Sequence, residues 1–141
     1  MALTSEATTV WNGDLKTGAG SITLDSSNAA VFPVTWAARS TGETGRTNPE
    51  ELLSAAHASC FSMQFASLLA KFGSPPRSLR VTAALTFETV AGITGSHLTV
   101  SASVDGISED DFQSIAAEAR ASCPVSRALV GIPITIDARL V

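Results

Sequence analysis

The stretch that decides the fold is residues 47–63, TNPEELLSAAHASCFSM. Asn48 is a favourable helix N-cap, Pro49 suits the first helical position, and the two glutamates that follow place carboxylates where the helix dipole stabilises them. The chain then carries no charge until Lys71, and a glycine and two prolines follow soon after. These signals predict a long, unusually apolar helix from about residue 48 to residue 72.

The apolar length of this helix raises the question of a membrane span. Polar side chains are spread around it and charges bracket both ends, which favours the central helix of a soluble protein. The chain of 141 residues is 45% hydrophobic, with a net charge of −4 and no block of like charges. This composition excludes disorder and argues against nucleic acid or an anionic membrane as a partner. The N-terminus shows no secretory signal, so we expect a cytoplasmic protein.

Alternation of apolar and polar residues, with turn residues between the runs, predicts the other elements. They are a hairpin of residues 8–15 and 20–24, a strand over 31–39, a hairpin of 81–89 and 98–104 joined through Gly92 and Gly95, a helix over 108–122, a short turn over 123–129 and a strand over 134–140. The pattern predicts one α+β domain over residues 1–141, with a mostly antiparallel sheet packed on the apolar helix.

The two cysteines, Cys60 and Cys123, are the candidate reactive groups. Without a CxxC pair, two thiols in a chain of this size are typical of free thiols or a redox pair rather than of a zinc site. Cys60 falls inside the long helix, where it is either a small buried hydrophobe or a thiol that needs an electropositive neighbour to react. Cys123 directly precedes Pro124 at the start of a short helix. It is either a structural core or cap residue or a reactive thiol whose pKa is lowered by the helix N-terminus.

Three charged or titratable side chains also have two interpretations each. His57, one turn before Cys60, is either a structural histidine or the partner of a nucleophilic thiol. Arg39, on the polar face of its predicted strand, is either solvated or a fixed positive charge that stabilises a thiolate. Glu50 is either a helix-dipole residue or the carboxylate that orients Arg39 through a bidentate pair.

Residues 47–63 resemble the first-cysteine motif of the OsmC/Ohr family, the osmotically inducible protein C and organic hydroperoxide resistance proteins. Residues 121–129, ASCPVSRAL, resemble the second-cysteine motif, and the predicted order of elements fits the family over nearly the whole chain. The residues around both cysteines are more similar to the OsmC branch than to the Ohr branch. The resemblance implies an OsmC-like fold and an intertwined homodimer.

The resemblance also implies a thiol-dependent peroxidase that uses no metal, haem or flavin. Cys60 matches the cysteine that attacks the peroxide, and Cys123 matches the one that resolves the sulfenic acid to a disulfide. A small dithiol, typically a dihydrolipoyl group, reduces that disulfide in the family, so a lipoylated protein is a candidate partner. Arg39 and Glu50 match the activating arginine and its orienting glutamate. Arg46, in a loop about one residue longer than in a relative, is a rival, but a strand should hold a guanidinium more firmly.

Glu50 and Cys60 are ten positions apart on the predicted helix, a rise of about 15 Å. One helix does not readily place both at the same arginine. We therefore expect a homodimer in which Glu50 of one subunit, with its Arg39, completes the site around Cys60 of the other. The apolar helix also needs covering on all sides, which favours a second copy.

The apolar residues around Cys60, with Phe61 among them, favour an organic hydroperoxide over hydrogen peroxide as substrate. Two competing predictions differ in class. One is a non-catalytic, stress-related or ligand-binding dimer on the same fold, with Cys60 merely buried. The other is a thiol hydrolase that uses Cys60 and His57.

Overall fold

Six strands and four helices make up the chain in the computed structural model, which describes all 141 residues. They are β1 (Thr8–Asn12), β2 (Ala19–Thr23), β3 (Val31–Val34), α1 (Trp36–Ser40), α2 (Pro49–Phe72), β4 (Pro76–Glu88), β5 (Gly92–Val104), α3 (Glu109–Ser122), α4 (Pro124–Ala128) and β6 (Ile134–Leu140). The predicted α+β class with a long central helix is confirmed. The chain divides into two compact units, Met1–Leu52 and Leu53–Val141. One domain over the whole chain stays a prediction.

The first unit is built on a three-stranded antiparallel sheet in the order β1-β2-β3. Gly20 lies in the middle strand, where an added Cβ would come within 2.9 Å of both Trp11 and Val34. The missing side chain therefore lets these two residues pack close to the strand. Ile22, Val34 and Ala38 form the buried apolar part of this unit.

The predicted strand over residues 31–39 is wrong in its second half. β3 ends at Val34, and Thr35 caps helix α1 by accepting a hydrogen bond from the Ala38 N–H at 3.1 Å. A threonine hydroxyl can accept a hydrogen bond from the first turn of a helix, so the backbone here can form a helix instead of pairing as a strand. The alternation of apolar and polar residues over 35–39 is too short to favour the strand. Arg39 consequently lies on a short helix and not on a strand.

The second unit contains a three-stranded sheet in the order β4-β5-β6. β4 and β5 form an antiparallel hairpin, whereas β6 is parallel to β5 because the chain crosses over through α3 and α4 before returning. The hairpin is longer than predicted. β4 already begins at Pro76, and Gly95 is paired within β5 near a register shift instead of lying in the turn.

Helix α2 has the predicted bounds but buries only one side. Phe61, Phe65 and Leu69 are fully buried, and Phe65 contacts both Phe61 and Phe112 with ring centroids 5.5 Å apart. Met63 on the opposite side is 69% exposed, and the covering of this side by a second copy stays a prediction. By length and composition α2 is the chain's one helix that could cross a membrane, and its Phe61, Phe65 and Leu69 side chains belong to the buried core of the second unit.

Candidate active site

The two cysteine side chains lie next to each other as free thiols. Cys60 is in the middle of α2, and Cys123 occupies the junction between α3 and α4. The Cys123 N–H closes α3 on the Ala119 carbonyl at 2.9 Å, and its own carbonyl accepts from the Arg127 N–H at 3.0 Å as α4 begins. Cys123 is completely buried, whereas Cys60 is partly exposed. A small molecule can therefore reach Cys60 more easily than Cys123.

Two opposing effects act on the Cys60 thiol. Burial raises the pKa of Cys60 above its ordinary value, and the neighbouring Cys123 thiol raises it further. A hydrogen bond from the Val125 backbone N–H lowers this pKa, because the N–H stabilises a sulfur anion. Val125 belongs to α4, so a thiol inside one helix receives a donor from the start of another. None of these three contributions comes from a cation.

His57 is completely buried and has a hydrogen-bond partner at each ring nitrogen. Nδ1 lies 2.8 Å from the Ser96 hydroxyl on β5, and Nε2 lies 2.8 Å from the Ser126 hydroxyl on α4. Burial lowers the pKa of His57, so the ring is neutral at pH 7. Both nitrogens are occupied by serines and neither is directed at a thiol. This geometry supports the structural interpretation of His57 over the nucleophile-partner interpretation.

A second polar contact joins the same two segments. The Gln64 amide on α2 donates to the Ser122 hydroxyl at 2.9 Å, and that hydroxyl donates to the Glu118 carbonyl at 2.8 Å. The sequence showed that Gln64 is one turn after Cys60, but nothing local indicates its partner. This contact, the serine partners of His57 and the Val125 N–H are the features of the site that sequence reasoning missed.

The predicted bidentate pair of Arg39 and Glu50 is present within the first unit. Arg39 Nε donates to both carboxylate oxygens at 3.1 Å, and Nη2 donates to Oε1 at 2.7 Å. The Glu50 side chain is only 8% exposed, against 31% for Arg39. The rival Arg46 has a longer contact of 3.6 Å with Glu43 on the surface. The structure thus brings Arg39 and Glu50 together, and the approach of Arg39 to a thiolate stays a prediction.

Local capping explains how the Arg39–Glu50 pair is held. The Asn48 side-chain oxygen accepts from the Glu51 N–H at 2.8 Å, as expected for the predicted N-cap. The Asn48 amide donates to the Ala38 carbonyl at 3.1 Å and so ties α1 to the start of α2. Arg39 and Glu50 therefore project from two elements that one asparagine fixes to each other.

An apolar cavity of about 220 Å³ lies beside Arg39 within the first unit. Its lining residues are Thr9, Trp11, Leu15, Ile22, Val34, Thr35, Trp36, Arg39 and Pro49. An apolar wall with one charged group suits a ligand with an alkyl part and a polar end. Phe61, expected near the substrate, instead lies fully buried in the core of the second unit. No group of three or more His, Cys, Asp or Glu side chains is placed to hold a metal ion.

Comparison with known proteins identifies the family. The family model described as OsmC-like protein matches residues 41–138. Peroxiredoxin OsmC of Escherichia coli strain K12 is 41% identical over 133 residues, which cover 92% of each chain. The chain belongs to the OsmC family. The predicted family, including its OsmC branch, is confirmed, and both cysteine motifs of this OsmC-family protein lie within the matched residues.

Solved structures show the same fold for this OsmC-family chain. The crystal structure of an OsmC-like protein from Mycoplasma pneumoniae superposes with a TM-score of 0.76 at 16% identity, covering 100% of this chain and 99% of the other. The organic hydroperoxide resistance protein OhrB of Bacillus subtilis gives a TM-score of 0.67 at 22% identity, covering 97% and 98%. These likenesses confirm the OsmC-like fold.

Proposed function

We propose that this protein is a cysteine-based peroxidase that reduces organic hydroperoxides. The observation that carries the proposal is the pair of adjacent, unbridged thiols, one partly exposed and one buried. Cys60 is the accessible one and is assigned the attack on the peroxide, and Cys123 is assigned the resolving role. The relative named Peroxiredoxin OsmC, 41% identical over most of both chains, supports a peroxide-reducing role.

The reaction balances with these two sulfurs and one external dithiol. The Cys60 thiolate attacks the terminal peroxide oxygen, the O–O bond breaks, and the leaving alkoxide takes a proton to become the alcohol. Cys60 is then a sulfenic acid. The Cys123 sulfur attacks it, water leaves, and a disulfide forms. A dithiol, for which we propose a dihydrolipoyl group on a small molecule or a lipoylated protein, returns both cysteines to thiols and becomes a disulfide itself.

The attack requires a thiolate, and none of the groups that shift the pKa of Cys60 is a cation. Burial raises the pKa of Cys60, and a protonated thiol is a poor nucleophile. Arg39, oriented by Glu50, is the best candidate because it stays protonated and is already aligned. We propose that it comes from a second copy in a homodimer, which would also cover the exposed side of α2. The same guanidinium would stabilise the leaving alkoxide.

The cavity beside Arg39 supports an organic substrate. Its volume of about 220 Å³ and its apolar lining suit the alkyl part of a hydroperoxide and offer little to hydrogen peroxide. We expect kcat/KM for cumene hydroperoxide to exceed that for hydrogen peroxide by at least about tenfold, the effect of about two buried methylene groups. Equal values, or a preference for hydrogen peroxide, would contradict this substrate assignment.

The central test is mass spectrometry after one equivalent of organic hydroperoxide. The wild-type protein should show a Cys60–Cys123 disulfide, and the Cys123→Ser variant should show a sulfenic acid on Cys60. The Cys60→Ser variant should lose peroxide reduction with a dihydrolipoyl reductant. Retained reduction in Cys60→Ser would contradict the proposal and favour a non-catalytic role for this thiol.

A further inference from the structure

We propose that two hydrogen bonds, His57–Ser126 and Gln64–Ser122, act as a clamp that holds Cys123 against Cys60 and favours their disulfide. This assignment deepens the proposed function and rests on it. It makes His57 and Gln64 positioning residues, since their hydrogen bonds go to serine hydroxyls and not to a reacting sulfur. These two hydrogen bonds form the thiol clamp.

The thiol clamp brackets both sulfurs. On α2, His57 is three positions before Cys60 and Gln64 is four positions after it, spacings that place all three on one side of a helix. On the other segment, Ser122 directly precedes Cys123, and Ser126 follows three positions later. One bond of 2.8 Å and one of 2.9 Å therefore fix α2 to the α3–α4 junction on either side of the cysteine pair.

The His57 bond also governs the donor to Cys60. Ser126 follows Val125, whose N–H is hydrogen-bonded to the Cys60 sulfur, and both belong to the five-residue helix α4. The opposite ring nitrogen, Nδ1, lies 2.8 Å from the hydroxyl of Ser96 on β5. Loss of the Ser126 bond removes one attachment of α4 to α2, whereas loss of the Ser96 bond leaves the His57–Ser126 bond in place.

The consequence is a higher effective concentration of one thiol at the other. Glutathione disulfide oxidises the pair by two electrons: its S–S bond breaks, Cys60 and Cys123 form one disulfide, and their two protons pass to the two glutathione thiols that are released. A segment already held in place loses less conformational entropy when that bond forms. Weakening the thiol clamp should therefore reduce the equilibrium constant for disulfide formation.

The test uses the full-length protein in glutathione redox buffers of fixed pH, with the disulfide fraction read by mass spectrometry. Ser126→Ala should lower the equilibrium constant by about tenfold, the effect of one net hydrogen bond. Ser96→Ala is the matched control, because it removes a bond of the same length to the same ring at a buried site. It should change the constant by less than about twofold. Equal changes in the two variants, or none in either, would overturn the thiol clamp.

A second pair of variants tests the other bond without touching the buried histidine. Gln64→Ala should lower the same constant by about fivefold, as expected for a partly exposed hydrogen bond. Gln113→Ala, which removes another glutamine amide that bonds a backbone carbonyl on β6, should leave it unchanged. A Gln64→Ala constant equal to that of the wild type would overturn the role of this bond.

Failure of the thiol clamp and failure of the peroxidase proposal are distinguishable, since glutathione exchange requires no peroxide. A wild-type protein that forms the link with glutathione disulfide, with the expected variant pattern, supports the thiol clamp even where hydroperoxide reduction is absent. A wild-type protein that reduces hydroperoxide but shows equal constants for Ser126→Ala and Ser96→Ala keeps the peroxidase and overturns the thiol clamp.

Discussion

Replacing Arg39 by methionine should lower the free energy of unfolding by about 3 kcal/mol. Methionine keeps a long apolar stem but removes the guanidinium. The lost contacts include those of Nε with both Glu50 oxygens at 3.1 Å and of Nη2 with Oε1 at 2.7 Å. The Glu50 side chain is 8% exposed, so water has little room to replace these donors. A buried carboxylate without its partner is the source of the cost.

The size of the effect follows from burial on each side of the pair. Removing one partner of a buried ion pair costs about 3–5 kcal/mol, because the other charge is left desolvated. Arg39 is 31% exposed, and its partial hydration places the estimate at the low end of that range. The double variant Arg39→Met/Glu50→Gln removes the stranded charge and should recover most of the loss.

The assay is urea unfolding at a fixed protein concentration and pH 7, combined with peroxidase activity. Arg46→Met is the control, since its contact with Glu43 is 3.6 Å long between side chains 45% and 42% exposed. Its effect on unfolding should stay below about 0.5 kcal/mol. The activity assay separates the contribution of Arg39 to stability from its proposed role in activating Cys60. The double variant should regain stability but should not regain peroxide reduction.

Two results would refute this reasoning. One is a loss below about 1 kcal/mol for Arg39→Met, which would mean that water replaces the guanidinium. The other is an equal loss of unfolding free energy for Arg39→Met and Arg46→Met, which would mean that the burial of Glu50 adds nothing to the cost of removing its partner. Full activity in Arg39→Met together with lost activity in Arg46→Met would move the activating role to the loop arginine.

Two further predictions concern pH and backbone packing. Burial lowers the pKa of His57, so the unfolded chain binds a proton below pH about 6.5 that the folded chain binds only at lower pH. The free energy of unfolding should therefore fall between pH 7 and pH 5, and His57→Gln should remove a measurable part of this fall. Gly18→Ala should lower Tm by about 4 °C or more, because the added Cβ would overlap the Asp14 carbonyl oxygen, whereas Gly131→Ala meets nothing within 4 Å and should leave Tm unchanged. An unaltered pH dependence in His57→Gln, or equal Tm values for the two glycine variants, would contradict them.

Local signals determined the elements that carry the site. The cap at Asn48, the proline after it and the uncharged run predict α2 to within a residue, since each acts on the backbone of its own neighbourhood. The same kind of reasoning failed over residues 31–39. Alternation and a capping threonine compete there, and the tertiary setting lets Thr35 end the strand and begin α1. The pairing of Arg39 with Glu50 was nevertheless expected, through the family resemblance.

The sequence by itself thus determined the long apolar helix, the two candidate thiols and the family. Only the tertiary structure decided what surrounds those thiols: the Val125 N–H at Cys60, the two serines at His57 and the Gln64–Ser122 contact. The last two sets join residues 39, 69 and 58 positions apart in the chain. Helix and strand periodicities relate residues only a few positions apart, so no local pattern encodes such partners. They meet because burial of the Phe61, Phe65 and Leu69 side of α2 brings the sheet and the α3–α4 junction against it.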